Sequence, residues 1–271
     1  MPTTIKPILY RGKFDLAQIA AVLEGLEETI IFMLINRAQF AANKAAYDPD
    51  HSGFEGGGER SLFELRLRYH EEMDAVFGRF CVPEERPFTQ DLPHPKRRVT
   101  LPETGLFLRD FNSINMADEI LDAYRKLIPR ICLEGDDGQY GSSVEHDVMA
   151  LQAIARRIHF GSLYVAESKY QSDKTKYRTL IEAQDRKGLL VALTRTEVEE
   201  KILKRVEDKV EHIQAEINPE VRRCIPSEEI MAFYRNHIIP LTKEGQVRYF
   251  LNRQLEDNFS IPQYAEVPTK Y

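Results

Sequence analysis

The segment Leu151 to Asp173, LQAIARRIHFGSLYVAESKYQSD, constrains this chain more than any other stretch. Its apolar residues Leu151, Ile154, Ala155, Ile158, Leu163, Val165 and Ala166 recur at near-helical spacing, which predicts one long helix facing a core over most of its length. The same helix carries Arg156, Arg157, His159 and Lys169. An unpaired buried cation is costly, so Arg157 and Lys169 either pair with protein carboxylates such as Glu167 or await an anionic ligand. Helix statistics alone favour the structural ion pair.

The rest of the chain also reads as helix. Helix formers dominate, Trp is absent and runs of alternating β-branched residues are scarce, so an all-α class is expected with no good strand. A first helix is expected from about Phe14 to Lys44, with Asp15 near its start. Beyond HSGFEGGGER, Ser61 followed by Glu64 reads as a capping box that opens a helix to about Phe80. Pro83, Pro87, Pro93, Pro95 and Pro102 predict a long surface loop from Cys81 to Asn115. Asn112 or Asn115 would cap the next helix, which runs to about Leu133 despite Pro129. GDDGQYGSS, Gly135 to Ser143, reads as a turn-rich joint, and a break is expected at Asp173 to Tyr177. Short helices then cover about Lys176 to Ala183 and Asp185 to Leu193, and Thr194 or Thr196 caps a long amphipathic helix through Ile213. Ser227 is the expected cap of a helix to about His237, Pro240 its break or kink, and a last helix ends near Leu255. The pattern predicts one large helical-bundle domain, residues 1–256, of about ten to twelve helices, and a loose tail, 257–271.

Composition narrows the function classes. A formal net charge of -6 argues against nucleic acid as a partner, and Lys96, Arg97 and Arg98 lie among prolines as a solvated loop would. There is no apolar core of signal-peptide length and no run near the ~18 residues of a membrane span, so a soluble, intracellular protein without a membrane partner is expected. Cys81, Cys132 and Cys224 show neither even count nor ligand spacing, which fits a reducing compartment and no zinc site. Inward-facing arginines in an acidic chain suggest a small anion.

The segments RRIHFG, VAESKYQSD, VEEKILKRV and IIPLTKE, together with ETIIF and the GDD...GS joint, occur in an order and helical context that resemble the eukaryotic, fungal-type chorismate mutases of the AroQ class. The resemblance covers nearly the whole chain to about Leu255. It implies an all-α, chorismate mutase II-like fold, a cytoplasmic homodimer with an active site inside each subunit's bundle, and no metal or organic cofactor. The implied reaction is the rearrangement of chorismate to prephenate, toward phenylalanine and tyrosine. Such a pericyclic shift needs no nucleophile and no proton transfer; the protein must hold a flexible dianion in a chair and stabilise charge developing on the breaking ether oxygen.

On the resemblance, Arg157 would grip a substrate carboxylate and Lys169 would reach the ether oxygen and a carboxylate. Glu199 would accept the ring hydroxyl, and Thr242 would help to hold the ring carboxylate. Gln246 stands where these enzymes commonly carry a glutamate that donates to the ether oxygen only when protonated, whereas an amide donates at any ordinary pH.

This chain also departs from the family pattern. Ala20 stands where the first helix supplies an arginine to a carboxylate, and Arg195, at a position usually occupied by asparagine, could replace it or simply pair with Glu199. Arg157 and Lys169 lie twelve residues apart, against typically about eleven, which on an unbroken helix would turn Lys169 away by about 100°. A π-bulge near Gly161 that absorbs the extra residue is therefore expected. Effector control in the fungal enzymes uses the GS joint and paired arginines across the dimer interface. Here Gly141 and Ser142 are present, but the arginine pair reads Gly78 and Arg79 and a nearby threonine position reads Glu145. An added carboxylate repels an amino acid's carboxylate, so a rate insensitive to tyrosine and tryptophan is expected. The alternatives to a chorismate mutase are a paralogue acting on aminodeoxychorismate or isochorismate, and a non-catalytic helical dimer with a binding or regulatory role.

Overall fold

The computed structural model describes residues 8–51 and 53–255, so the expected tail at 257–271 lies outside the described residues. Helix α1, Leu16–Arg37, starts where the Asp15 carboxylate accepts from the N–H groups of Ala17 and Gln18 at 3.0 and 3.1 Å. It ends seven residues before the expected Lys44, and the chain then turns through short 3-10 segments. Helix α2, Leu62–Val76, opens with the expected capping box, Ser61 and Glu64 each bonding the other's backbone. Gly78, at a φ of 83°, ends it short of Phe80. The proline-rich stretch that follows contains only short 3-10 turns.

Helix α3, Ala117–Ile131, tolerates Pro129 inside its last turn. Helix α4, Tyr140–Phe160, begins within the expected joint, so Gly141 and Ser142 are exposed in its first turn. It runs through a π-helical turn, Gly161–Val165, into α5, Ala166–Ser172. Helices α6, Lys174–Glu182, and α7, Arg186–Leu193, are capped by the side chains of Asp173 and Asp185.

Three expected caps are corrected. Helix α3 has Met116 at its N-cap in place of Asn112 or Asn115, although Asn115 Oδ1 accepts from the Ala117 N–H at 3.0 Å just before the helix. Helix α8, Thr196–Ala215, has Arg195 at its N-cap with no side-chain bond, because Thr194 Oγ1 donates backward to Leu190 O at 2.9 Å. Helix α9, Ser227–Phe233, has Pro226 at its N-cap, which puts Ser227 inside the first turn. Pro240 does not break the chain either. A second π turn, Tyr234–Ile238, leads straight into α10, Ile239–Asn252, and Pro240 follows it where the α-helical hydrogen-bond ladder is already interrupted. The expectation of no strand is also corrected at the N-terminus. Two-residue strands β1, Leu9–Tyr10, and β2, Lys13–Phe14, pair antiparallel around Arg11 and Gly12, whose φ values of 50° and 74° make a tight hairpin turn.

The helices bury two apolar clusters. One gathers Ile30, Phe63, Ile120, Leu151, Val206 and Phe233 from α1, α2, α3, α4, α8 and α9. The other gathers Ile19, Phe160, Tyr170, Tyr177, Leu189 and Phe250, from the start of α1 and from the end of α4 through α5, α6, α7 and α10. The clusters meet at the end of α4, where Ile158 belongs to the first and Phe160 to the second. No helix among the described residues is long and apolar enough to cross a membrane. All three cysteines are free thiols.

A buried polar knot fixes α1 to α4. Asp147 accepts from Arg37 Nε at 2.5 Å and from the hydroxyls of Tyr47 and Tyr124 at 2.7 Å each. The rest of the Arg37 guanidinium donates to the carbonyls of Ala41 and Ala42 at 2.9 and 3.1 Å. Removing the one anion leaves the buried Arg37 charge uncompensated and takes the acceptor from its Nε and from the hydroxyls of Tyr47 and Tyr124. Asp147→Ala should therefore destabilise the fold by about 3–5 kcal/mol in denaturant unfolding, and a loss under about 1 kcal/mol would mean that water reaches the knot.

Candidate active site

The junction of the two clusters holds Arg157, one turn before the end of α4. The residue is buried, and its Nε and Nη1 have no hydrogen-bond partner among the described residues. Its nearest carboxylate oxygen is Glu27 Oε1, 3.7 Å from Nη2. Glu27 is already engaged. Arg205 grips it through Nε at 2.9 Å and Nη2 at 2.7 Å, and Lys209 Nζ lies 3.4 Å away. Burial accordingly pulls the Arg157 pKa below its ordinary value, with the neighbouring Arg205 charge adding to the effect. The Tyr234 hydroxyl beside this group is likewise buried without a partner.

The π turn sets what lies next to this guanidinium. Gly161 opens the turn, and a Cβ there would lie 2.8 Å from Thr242 Cγ2 and 3.2 Å from Arg157 Nη1, so only glycine leaves α4 and α10 this close. Ser162 Oγ donates to Ile158 O at 2.7 Å, a bond that runs back along the helix. The extra residue is absorbed in this turn, and Lys169 reaches α10: its Nζ donates to Gln246 Oε1 at 3.1 Å and to Leu193 O at 3.2 Å. Gln246 Nε2 in turn donates to Gly161 O at 3.4 Å, so Lys169, Gln246 and the π turn form one chain of bonds beside Arg157. The Thr242 hydroxyl donates to Ile238 O at 2.7 Å, and that proton must turn away before it can serve a ligand.

Glu199 lies in the first turn of α8, and its Oε1 meets Lys243 Nζ at 2.6 Å. Arg195 is exposed and makes no ion pair with Glu199, so the alternative in which the two residues pair is corrected. Both Arg195 and Lys243 still bear on Lys169. Burial first, then these two charges, push the Lys169 ammonium down to about 8, with Glu199 opposing them. Ala20 is exposed and brings no charge to this side of the site.

Lys243 and Glu27 escaped the sequence reading. The spacing of Thr242, Lys243 and Gln246 places all three within one turn of α10, which was the available signal for Lys243. No comparable signal marked Glu27, because its pairing with Arg205 spans 178 residues. His159 and Arg156 have structural roles. The His159 Nε2 accepts from Met116 N–H at 3.0 Å, and burial drives that imidazole down to about 3. Arg156 pairs with Glu85 at 3.2 Å.

The four residues at the family's effector positions, Arg79, Gly141, Ser142 and Glu145, do not form one cationic site within this subunit. Arg79 is held by Asp74 at 2.7 Å, by Glu85 at 2.9 Å and by Gln152. Glu145 lies 3.5 Å from Arg66, on the helix that Gly141 and Ser142 begin.

No protein-family model matches this sequence. The chain is 36% identical over 260 residues to the chorismate mutase of Schizosaccharomyces pombe, covering 91% of this chain and 99% of that protein. Its fold is similar to the crystal structure of the Aro7p chorismate mutase of Candida albicans in complex with L-Trp, with a TM-score of 0.80 at 35% identity over 88% of this chain and 91% of that one. It is also similar to AtCM1 with tyrosine bound in an allosteric site, with a TM-score of 0.76 at 38% identity over 87% of this chain and 95% of that one. A relative this similar along almost its entire length places the chain among the chorismate mutases, a family of isomerases.

Proposed function

We propose that this chain converts chorismate to prephenate in the site between α4, α5, α8 and α10, with Arg157 taking a substrate carboxylate. The observation that carries this reading is the buried Arg157 guanidinium, with two nitrogens unbonded and its nearest carboxylate spent on Arg205 and Lys209. A dianion entering there supplies the counterion that the fold withholds. Lys169 and Gln246, already bonded to one another, then donate to the ether oxygen as its bond to carbon breaks, while the new carbon–carbon bond forms within the same molecule. In this reading Glu199 accepts the ring hydroxyl through its second oxygen, and Thr242 steadies the ring carboxylate. Arg195, exposed at the start of α8 and close enough for its charge to act on Lys169, takes the place of the arginine that Ala20 lacks.

The enzyme we envisage is cytoplasmic, homodimeric and indifferent to tyrosine and tryptophan. Tyr69, Met73 and Phe77 stand exposed at four-residue intervals along α2 and its end, an apolar row suited to a second copy. The Arg79 guanidinium is saturated by its own subunit, and the exposed Glu145 faces any amino acid carboxylate approaching the start of α4.

Assay of chorismate loss with identification of prephenate tests the central claim. Arg157→Ala should lower kcat/KM by about a hundredfold or more, and a loss under about threefold would sink the carboxylate role. The pH profile tests the other pair. Because the Lys169 pKa is depressed to about 8, the charged form needed for binding is lost as pH rises through that value, and kcat/KM should fall on that side. The limb in kcat should lie higher, since a bound dianion favours the ammonium. Between about pH 5 and about pH 7 the rate should stay flat, because an amide has no proton to lose there; a steep decline across that interval would remove Gln246 from the reaction. Finally, Arg195→Ala should cost roughly tenfold in kcat/KM, and unchanged or faster turnover would show that Ala20 goes uncompensated.

A further inference from the structure

Glu199 does not face the site as a free carboxylate. The Lys243 ammonium, projecting from α10, meets its Oε1 at 2.6 Å, while Oε2 has no partner among the described residues. Both side chains are largely withdrawn from solvent, at 18% exposure for Lys243 and 27% for Glu199, so the contact is a partly dehydrated one. Lys243 also lies between Thr242 and Gln246 in the sequence of α10, and Lys169 responds to the charges of Lys243, Arg195 and Glu199 together. This corner of the site thus gathers three cations around one carboxylate.

That balance decides what the free oxygen of Glu199 can receive. A neutral hydroxyl needs only an acceptor lone pair, and Oε2 supplies one. An ammonium needs an uncompensated negative charge, and Lys243 has already claimed it, with Lys169 and Arg195 adding repulsion. We propose that Lys243 is a positioning and specificity-determining residue that holds Glu199 by one oxygen and makes this subsite select a ring hydroxyl over a ring ammonium. The proposal rests on the reading that Glu199 accepts the ring hydroxyl of chorismate. It extends that reading to the discrimination between chorismate and its analogue with an amine at that ring carbon, protonated at neutral pH. The positively charged corner also explains why a lysine beside a carboxylate is compatible with binding a dianion: the pair stays intact while Oε2 does the recognising.

The test measures kcat/KM at pH 7 for chorismate and for 4-amino-4-deoxychorismate with the wild-type enzyme and with Lys243→Gln, Lys243→Arg and Glu199→Gln. The wild type should prefer the hydroxyl substrate by about a hundredfold. Lys243→Gln should narrow that preference by about tenfold or more, because Glu199 regains an uncompensated charge, and Lys243→Arg should keep it. A purely structural role for Lys243 would lower both substrates alike and leave their ratio where it was, and that result overturns the proposal. So does a wild type that shows no preference. Glu199→Gln separates the two levels of the argument: a large loss on chorismate upholds the hydroxyl reading whatever Lys243→Gln does, and full activity on chorismate removes that reading and the proposal with it.

Discussion

A guanidinium kept dry without an anion of its own is the constraint around which this structure is arranged. Arg157 is carried into the interior by α4, whose apolar face belongs to the core on either side of it. Moving it outward would expose Leu151, Ile154 and Ile158, so the helix cannot relieve the charge by turning. Relief from Glu27 is limited by geometry, because both Glu27 oxygens are bonded to Arg205. The burial of α4 thus maintains a positive potential at one point of the interior, and the adjoining residues determine the shape of anion that can use it.

The second determinant is backbone. An α-helix carried on from Arg157 without interruption would swing the residue twelve positions later away from its partner helix. The π turn at Gly161–Val165 takes up that rotation, and its first residue is the one whose missing side chain lets Thr242 and Arg157 approach each other. Both effects depend on the same few residues. The turn opens hydrogen bonding that Ser162 and Gln246 then use, through Ile158 O and Gly161 O, so its irregularity is stabilised by the helix it faces.

What the sequence made legible follows the range of each interaction. The capping box at Ser61 and Glu64, the Asp15 cap and the amphipathic runs are local, and they stand where the pattern put them. The π turn was legible only through the one-residue difference in spacing between Arg157 and Lys169. The hairpin near Phe14 was missed because two-residue strands are too short for alternation to register, and its turn depends on the positive φ of Arg11 and Gly12. Pro226 displaced Ser227 as the cap because its fixed φ already suits the residue before a helix, a fact that hydroxyl counting overlooks. At the site, Lys169 meets Gln246 beside the π turn that Arg157 precedes, yet Glu199 chose Lys243 over Arg195. Sequence proximity favoured Arg195, one turn away on the same helix; the fold brought in α10 instead, and helix-surface neighbours lose to a partner that approaches from the buried side.

Holding Lys169 and Gln246 within hydrogen-bond reach demands more than their own 3.1 Å contact, because a lysine has many rotamers to occupy. The restraint comes from a second contact between the same two helices. Glu167, two residues before Lys169, receives Arg253 through Nε at 2.7 Å and Nη2 at 2.8 Å, and the Tyr249 hydroxyl at 2.6 Å. The Arg253 guanidinium also lies 3.4 Å above the Tyr170 ring, so its position is fixed in two directions. All of these groups are buried, and Tyr249 and Arg253 flank the end of α10 just as Glu167 and Tyr170 flank Lys169 on α5. The brace therefore ties α5 to α10. Donors aimed at an ether oxygen contribute to a transition state in proportion to how little they must reorganise. In this fold the Glu167–Arg253 ion pair supplies that rigidity to Lys169 and Gln246.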